Sequence, residues 1–405
     1  MPGELGNGVR RTLSDGTDQW KIGRRDFRGC GLGPSSYNIR GMQQDRPARI
    51  LVGMSGGVDS SATAALLKDQ GHSVVGVTLK LWPQDCVNRA EDKCCGPQAV
   101  MDARSVCAQL GIPYYLVDES DLFQKKVIQY FADEYRAGRT PNPCVMCNQH
   151  LKFGVLLDRA DQLGCDLIAT GHFARLEKDP VTGHVQLFRG RDLRKDQSYF
   201  LFSLRQEQLA RSLFPLGERT KSETREVARS CDLRTADKEE SMEICFVPDK
   251  DYGKFLRESR LASVHHGDIV DLEGRRLGGH DGIEFYTIGQ RRGLRISSPR
   301  PLYVVELDAE RNRVVVGEEH QLGRDRFGVS NCNWISPELL AGAPGPVRCM
   351  AKIRYNHPGA DAEFVQESGG RASVRLMEPA RAVTPGQACV FYDGDRVLGG
   401  GWIVR

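Results

Sequence analysis

Apolar and polar positions follow two different patterns along the chain, and the change falls near residue 175. Before that point, four short apolar runs are separated by segments with helical spacing: ARILVGM, SVVGVTLKLW, IPYYLVD and DLIATGH. The intervening segments predict helices, among them 58–70, 121–136 and 150–163. Strands that alternate with helices predict a parallel sheet with helices on both faces.

Beyond residue 175 strands and turns dominate. HVQLFRG and QSYFLFSL predict strands, whereas QEQLARSLF and KSETREVARSCDL predict helices; from about 265 onward, strands alternate with turn signals such as DLEGRR and YDGDR. The sequence therefore predicts an α/β protein whose parallel-sheet domain is followed by two small mainly β domains. The expected domains are 48–245 with a helical and hairpin insert from about 175, 246–330, and a barrel-like 331–405. The Gly- and Arg-rich residues 1–47 lack an apolar period and are expected to form a flexible extension.

Composition is that of a globular protein of the cytoplasm. The 405 residues are 40% hydrophobic and 27% charged, and no run approaches the roughly 18 apolar residues of a membrane span. The chain has 13 irregularly spaced cysteines and no apolar leader after Met1, which indicates a reducing compartment where clustered thiols serve catalysis or metal binding. A net charge of +3 does not by itself require a nucleic-acid partner.

The strongest motif is GMSGGVDSS, which follows the first strand and opens the first helix. Gly56 and Gly57 permit a tight turn whose N–H groups face an anion, and the helix N-terminus adds partial positive charge. Asp59 is a candidate Mg²⁺ ligand. The loop is neither a Walker A nor a Rossmann motif, but it resembles the PP-loop of ATP pyrophosphatases. That resemblance implies an ATP site at the carboxyl edge of the sheet, where Leu79 and Gly171 are also expected.

Two cysteines in TPNPCVMCNQH have C-x-x-C spacing, which is typical of a zinc half-site, a redox dithiol or an iron–sulfur site. Zinc is disfavoured because four ligands are not apparent, and a Pro-rich loop is the wrong context for a thioredoxin-like dithiol. Cys147 is expected just before the helix over 150–163, whose N-terminus would activate the thiol. Cys245 lies between apolar neighbours, so a buried, inert thiol is the alternative interpretation for it.

These features together resemble the tRNA-specific 2-thiouridylases. The similarity runs from about residue 48 to residue 405 and includes, in order, GMSGGVDSS, LKLW, CCG followed by DAR, LGIPYYLVD, GRTPNPCVMCNQHLKF, ATGHFA, KDQSYFL, SMEICFVP, YTIGQRRGL, IRYNH and VTPGQACVFYDGD. The resemblance implies that ATP, with Mg²⁺, adenylates the C2 oxygen of the wobble uridine and that sulfur then displaces AMP. It also implies lysine, glutamate and glutamine tRNAs as partners, and a cysteine desulfurase or sulfur-relay protein as the sulfur source.

The resemblance further implies a role for each matching residue. ATP would contact Gly53, Met54, Ser55, Gly56, Gly57, Val58, Asp59, Ser60, Leu79 and Gly171. The flipped base would be bordered by Asn142, Pro143 and Cys144, with Cys147 as nucleophile, Cys245 as persulfide carrier, and a Cys147–Cys245 disulfide as the product. The tRNA would contact His172, Lys195, Asp196, Gln197, Arg354, Tyr355 and Gln387.

Three alternatives remain open at this level. Many members of the family have Asp at the position of Cys144, so Cys144, Cys147 and Cys245 are an alternative ligand set for a [4Fe–4S] cluster. Another PP-loop enzyme acting on a small amide or ureido substrate would not need paired cysteines, and an RNA-binding module with a relict loop would not need the intact motif. A further cysteine group is interpreted as a loop near the ATP site rather than a metal site: Cys86, Cys94 and Cys95.

Overall fold

The computed structural model describes residues 47–81, 96–239, 244–247, 251–259, 261, 265–342 and 345–404, together with two short strands near the N-terminus. It contains two compact units. The first comprises Met1–Gln124, Cys147–Ser198 and Leu204–Phe246, and the second comprises Lys125–Met146, Tyr199–Ser203 and Val247–Arg405. Cys86, Cys94 and Cys95 lie outside the described residues, as does most of the expected N-terminal extension.

A seven-stranded sheet forms the centre of the first unit, in the order β1-β2-β5-β4-β3-β6-β9. Its parallel strands are β3 (Arg49–Gly53), β4 (Ser73–Lys80), β5 (Tyr114–Asp118), β6 (Leu167–Ala169) and β9 (Ser212–Leu213). Two antiparallel strands extend one edge, β1 (Arg10–Thr12) and β2 (Asp18–Trp20). The triplets RRT and DQW of these two strands carry no apolar alternation, and the flexible extension over residues 1–47 stays a prediction.

The α- and π-helices described up to residue 230 belong to the first unit, except for their residues 125–136 and 143–146, which belong to the second. They are α1 (Val58–Asp69), α2 (Pro97–Gln109), α3 (Ser120–Phe123), α4 (Gln129–Arg136), α5 (Pro143–Cys147), α6 (Leu156–Gln162), α7 (Gln206–Ala210) and α8 (Lys221–Ser230), with π-helical stretches at Gln124–Ile128 and Asn148–Val155. The antiparallel hairpin β7 (Ala174–Lys178) and β8 (Val185–Arg189) completes the described elements of the first unit. Apolar side chains of β3, α1 and α2 form one core that includes Ile50, Val52, Ala65 and Val106.

The strand order places the candidate site. Strands β4 and β5 lie on one side of β3, and β6 and β9 lie on the other, so the direction of winding reverses between β3 and β6. In open parallel sheets, ligands bind at this reversal, outside the carboxyl ends of the strands. The loop at Met54–Gly57 follows β3, and Thr170–His172 follows β6, so both segments meet at the expected edge.

Two predicted elements differ from the structure. The helix expected over 150–163 begins at Pro143, because α5, the π-helical stretch and α6 follow one another without a break. The strand predicted for QSYFLFSL is instead a 3₁₀-helix at Ser198–Phe200 followed by turns. Its apolar residues do not alternate between core and solvent, since Leu201 and Phe202 are both buried.

The second unit is rich in strands. A four-stranded sheet in the order β11-β10-β13-β12 contains β10 (Gly267–Val270), β11 (Arg276–His280), β12 (Tyr303–Asp308) and β13 (Arg313–Gly317), and α9 (Tyr252–Glu258) precedes it. Six further strands form β14-β17-β16-β15-β18-β19, and pairing of β14 with β19 closes them into a barrel. They are β14 (Gly323–Trp334), β15 (Val347–Lys352), β16 (Ala360–Glu367), β17 (Arg371–Arg381), β18 (Ala388–Asp393) and β19 (Arg396–Val404), with α10 (Pro337–Leu340) after β14.

The predicted fold class, a parallel-sheet α/β domain followed by two small mainly β domains, is confirmed. Within the described part of the chain, no helix has both the length and the apolar character needed to cross a bilayer.

Candidate active site

The loop between β3 and α1 has the geometry of an anion-binding loop at a helix N-terminus. Gly57 is the N-cap of α1 and no side chain caps the helix, so the first N–H groups of the helix remain available to a ligand. The hydroxyl of Ser60 receives a hydrogen bond from the backbone N–H of Ser55 at 3.2 Å and donates to the carbonyl of Gly57 at 3.1 Å. Ser61 also donates to this carbonyl, at 2.8 Å. These bonds fix the loop before any ligand binds.

Two glycines of the predicted site are required by close backbone approach. Gly56 has φ +72°, and a Cβ atom there would lie 2.1 Å from the carbonyl oxygen of Ala99 in the first turn of α2. At Gly171 a Cβ atom would lie 2.8 Å from backbone and Cβ atoms of Asp59 and 3.0 Å from the backbone nitrogen of Ser60. The segment after β6 is therefore in direct contact with the first turn of α1. Leu79 is half-buried near the end of β4, on the same edge of the sheet.

A lysine that the sequence analysis missed pairs with the loop. The Lys221 ammonium on α8 lies 2.6 Å from Asp59 Oδ1, and only 11% of the lysine side chain is exposed. Lys221 also lies over the Phe173 ring at 5.6 Å. The Asp59 carboxylate is thus neutralised in this structure. A Mg²⁺ ion would take one ligand from Asp59 and the others from ATP phosphates and water, as Mg²⁺ commonly does.

A second missed lysine bonds the loop on its other side. Lys238 Nζ donates to the carbonyl of Gly56 at 3.1 Å and to Asp102 Oδ2 at 2.7 Å. Asp102, on α2, is buried and also accepts from Gln98 at 3.0 Å and pairs with Arg234 at 3.2 Å. Asp102 belongs to the DAR motif and Lys238 to the segment before Cys245. The sequence offered a signal for Asp102 alone, through the shared DAR motif, and none for Lys238.

His172 is a buried histidine rather than a surface one. Its Nδ1 lies 2.7 Å from the Thr170 hydroxyl, and its ring packs against Phe153 and Phe214 with centroid distances of 5.7 and 5.8 Å. Burial, reinforced by the charge of Lys152, holds the pKa of His172 well below the ordinary 6.5, so the ring is neutral at physiological pH. The side chain of His172, which is predicted to contact tRNA, is buried in this structure.

The loop predicted to contact tRNA at residues 195–197 is held by its own hydrogen bonds. Asp196 is buried, and its carboxylate accepts from the backbone N–H of Gly190 at 3.2 Å and from the N–H and hydroxyl of Ser198, each at 3.0 Å. Gln197 accepts from the N–H of Phe173 at 3.1 Å. Lys195 is half-buried and its backbone N–H donates to Asp192. Asp196 and Gln197 therefore shape the loop in this structure.

The two cysteines of the C-x-x-C pair lie on α5. Because the helix begins at Pro143, Cys144 falls in its first turn and Cys147 falls at its end, where a π-helical stretch follows directly. The expectation that Cys147 precedes the helix is wrong, and the helix dipole, which acts within the first turn, favours Cys144 instead. Cys144, Cys147 and Cys245 are all half-buried, so the buried interpretation of Cys245 does not hold.

The three cysteines suggested as ligands of a [4Fe–4S] cluster are divided between the two units, with Cys144 in the second and Cys147 and Cys245 in the first. Among the described residues, which include all three cysteines, no group of three or more His, Cys, Asp or Glu side chains is placed to hold a metal ion. The cluster alternative therefore stays a prediction.

The segment expected to border the base is held in place within the second unit. Gln387 Nε2 donates to the carbonyls of Thr140 and Pro141 at 3.2 and 3.1 Å, and the N–H of Thr140 donates to the carbonyl of Pro385 at 2.9 Å. Asn142 is buried next to this contact. The motifs TPNPC and VTPGQ, distant in the sequence, thus form one structural feature. Gln387, predicted to touch tRNA, uses its amide to support this segment.

Two further predicted residues lie beside an aromatic group. Tyr355 packs against Phe200 with a centroid distance of 4.5 Å and against Tyr199 at 6.0 Å, and the Lys352 ammonium lies 5.7 Å from the Tyr355 ring. Arg354 is exposed and donates to the carbonyl of Arg381 at 3.2 Å. A half-buried ring beside the Lys352 ammonium, preceded in the chain by the exposed Arg354, is suited to stacking on a nucleobase while the nucleotide's phosphate is neutralised.

Comparison with known proteins supplies a context for this geometry. Three family models match: tRNA methyl transferase HUP domain at residues 48–249, tRNA methyl transferase PRC-barrel domain at 253–318, and aminomethyltransferase beta-barrel domain at 324–403. The chain is 50% identical over 366 residues to the tRNA-specific 2-thiouridylase MnmA of Geobacter metallireducens, covering 89% of this chain and 98% of that protein.

A second relative and one solved structure extend the comparison. The chain is 49% identical over 358 residues to the protein of the same name from Chloroflexus aggregans, covering 88% of this chain and 99% of that protein. It is also similar to the crystal structure of a 4-thiouridine synthetase–RNA complex with bound ATP, at 18% identity and a TM-score of 0.35, over 52% of this chain and 50% of that chain.

Proposed function

Because the chain belongs to the family of tRNA-specific 2-thiouridylases, we propose that it transfers sulfur to C2 of the wobble uridine of tRNA in an ATP-dependent reaction. The observation that carries the proposal is the phosphate loop, which is intact, uncapped by any side chain and fixed by its own hydrogen bonds. A relict loop would not need the close approach of Gly56 to Ala99. Two of the family models are described as methyl transferase domains, whereas the two relatives compared above are named 2-thiouridylases.

The first step needs a leaving group, because the C2 oxygen of uridine leaves poorly. We infer that this oxygen attacks the α-phosphorus of ATP, so that pyrophosphate departs and an adenylated uridine forms. The first N–H groups of α1 and the ammonium groups of Lys221 and Lys238 supply positive charge near the phosphates. Fixed donors and charges of this kind stabilise the charge that develops on the departing pyrophosphate.

The second step delivers sulfur. We propose that the terminal sulfur of a Cys245 persulfide attacks C2, which expels AMP and leaves the uridine joined to Cys245 through a disulfide bond. The Cys147 thiolate then attacks the sulfur of Cys245, releasing 2-thiouridine and forming a Cys147–Cys245 disulfide. An external dithiol reductant then restores both thiols.

The partners follow from this chemistry. The persulfide must come from a cysteine desulfurase or a sulfur-relay protein, and the nucleotide must leave the anticodon stack to reach the site. We propose tRNAs for lysine, glutamate and glutamine as substrates, with Arg354, Tyr355 and Lys195 as contacts. A cycle that depends on free thiols suits the reducing cytoplasm.

One assay tests the proposal. The protein is incubated without oxygen with Mg-ATP, a persulfide donor and unmodified glutamate tRNA, and the digested tRNA is examined for 2-thiouridine by mass spectrometry. Wild type and Cys349→Ser, a control in the barrel, are expected to form the product. Cys147→Ser and Cys245→Ser are expected to form none while still binding ATP. Absence of product from wild type whose Cys245 carries verified persulfide would refute the function.

A further inference from the structure

A pocket of about 630 Å³ lies in the second unit, and its lining includes Arg136, His265, His266 and Glu284. None of these residues has a part in the reaction proposed above. Pockets that hold a small-molecule ligand typically measure about 300–1,000 Å³. The volume therefore suits a ligand of the size of a mononucleotide.

The pocket contains a buried carboxylate that lacks a donor. Glu284 is only 4% exposed, and its Oε1 has no hydrogen-bond partner within the part of the chain that the structure describes. A Cβ atom at Gly282 would lie 2.5 Å from Glu284 Oε2 and 2.9 Å from Oε1, so the carboxylate fits there only because residue 282 has no side chain. Burial raises the pKa of Glu284, as expected for a carboxylate that is short of donors. A ligand that donates N–H groups would remove this cost.

The wall around the carboxylate is fixed by hydrogen bonds. The Nδ1 atom of His280 accepts from the N–H of Gly282 at 3.0 Å, so the ring proton lies on Nε2, which donates to the carbonyl of Asn312 at 3.1 Å. The side-chain amide of Asn312 donates in turn to the carbonyls of His265 and His266, at 3.2 and 3.0 Å. Burial holds the pKa of His280 below 6.5, and the neutral ring keeps both bonds. The pocket is thus built before any ligand binds.

The lining offers three kinds of contact to a ligand. Arg136 and Glu284 line the same pocket, yet these two described residues form no ion pair with each other. The Nε and Nη1 atoms of Arg136 donate within the protein, and its Nη2 donates to no other described residue. His265 and His266 are both exposed and present imidazole rings. An acceptor, a cation and aromatic faces are the groups that bind the base edge, the phosphate and the face of a nucleotide.

The carboxylate discriminates between bases. The Watson–Crick edge of guanine has two adjacent donors, the N1–H and the 2-amino group, which one carboxylate can accept together. Adenine and cytosine present a single amino group beside an acceptor nitrogen, and uracil presents one N–H between two carbonyls. We propose that this pocket binds a guanine nucleotide, with Glu284 accepting from the base and Arg136 contacting the phosphate. The nucleotide is either free or an unpaired guanosine of RNA, since both carry these groups. The site is separate from the phosphate loop, and the inference does not depend on the proposed function.

Calorimetry of the full chain tests the site. GMP is titrated in the presence of α,β-methylene ATP and Mg²⁺, which occupy the phosphate loop. We expect one GMP to bind per chain, and IMP, which lacks the 2-amino group, to bind roughly tenfold more weakly or worse, because a hydrogen bond to a charged acceptor is lost. Glu284→Gln should weaken GMP binding at least tenfold and lose the preference over IMP. Glu273→Gln is the matched control, since this exposed carboxylate lies in the turn between β10 and β11, and it should bind GMP as the wild type does.

A second titration distinguishes the two sources of the nucleotide. The pentamers UUGUU and UUAUU are compared with GMP: tighter binding of UUGUU than of GMP and UUAUU assigns the site to RNA, and tighter binding of GMP assigns it to the free nucleotide. Saturable binding of neither GMP nor UUGUU by the wild type would overturn the inference, as would equal affinities of the wild type and Glu284→Gln. Should Glu284→Gln fail to fold, the wild type decides alone, because equal affinities for GMP and IMP would exclude recognition of guanine.

Discussion

Lys221 Nζ lies 2.6 Å from Asp59 Oδ1, so an almost buried lysine of α8 neutralises the only carboxylate of the phosphate-loop motif. Without it, Asp59 would repel the triphosphate. We expect Lys221→Met to raise the KM for ATP roughly tenfold, the effect of about 1.4 kcal/mol. The free energy of unfolding should fall by about 1–2 kcal/mol, since Asp59 is a third exposed and partly screened by water.

Steady-state kinetics at saturating Mg²⁺ measure the first effect, and urea unfolding measures the second. Lys221→Arg should retain most of both, because it keeps the charge. Lys68→Met, in the last turn of α1, is the control and should change neither. A lower KM for ATP in Lys221→Met would show that the pair obstructs the nucleotide rather than preparing its site.

Adjacent glycines of the loop provide a matched pair. At Gly56 a methyl group would lie 2.1 Å from a carbonyl oxygen and the backbone has φ +72°, whereas at Gly57 the nearest atom would be 3.6 Å away. Gly56→Ala should therefore lose at least about 1–2 kcal/mol to the left-handed backbone alone and bind no ATP detectable by calorimetry. Gly57→Ala should unfold like the wild type. Equal stability of the two variants would contradict the loop geometry.

The local features of the site could be predicted from sequence, but its charge partners could not. The Gly-rich loop between a strand and a helix determines both the fold class and the position of the phosphate site. Lys221 and Lys238 reach this loop from 162 and 182 residues away, respectively, and nothing local in the sequence distinguishes them from surface lysines. Only the packing of α8 and of the segment at 234–239 brings them to the loop.

The start of α5 differs from the prediction for a local reason. Asn142 and Pro143 are expected to border the base, although Asn also suits an N-cap and Pro suits the first helical position. Given those signals, the helix could have been started at Pro143, as observed. The burial of His172, by contrast, depends on tertiary packing by Phe153 and Phe214, which no short-range pattern reveals.

A substitution at Cys144 tests the proposed sulfur-transfer mechanism. If sulfur transfer proceeds through Cys147 and Cys245 alone, an acidic residue at position 144 is compatible with catalysis, because Cys144 performs no covalent step. We expect Cys144→Asp to form 2-thiouridine at a rate within a few-fold of wild type under anaerobic conditions, and Cys147→Asp to form none. Loss of activity in Cys144→Asp, together with iron in active wild-type protein, would contradict this expectation and favour a cluster.

His172 should make stability depend on pH. Its pKa in the folded chain lies below the unfolded value of 6.5, so the unfolded chain takes up the proton first as the pH falls. The stability linked to the neutral ring is therefore present above pH 6.5 and is lost as the pH falls from 6.5 toward the folded pKa, by at most about 1.4 kcal/mol per pH unit. In His172→Gln this loss is absent.

Calorimetric Tm values between pH 5 and 8 measure the difference. The wild type should unfold at a higher temperature than His172→Gln at pH 8, and the gap should narrow below pH 6.5. His320→Gln, at an exposed histidine, should follow the wild type at every pH. A gap that stays constant across the range would show that His172 contributes packing alone.

Gln387 offers the clearest test of whether the segment at 140–142 must be held in place for tRNA to react. Its amide donates to two backbone carbonyls, those of Thr140 and Pro141, and each such bond contributes about 1 kcal/mol. Gln387→Ala should lower kcat/KM for tRNA roughly tenfold or more and leave ATP binding unchanged. Gln366→Ala is the matched control, because this amide also donates to a backbone carbonyl, that of Leu339, within the barrel. Gln366→Ala should lower the Tm by a comparable amount and leave kcat/KM for tRNA unchanged. An equal loss of kcat/KM in both variants would show that Gln387 only stabilises the fold.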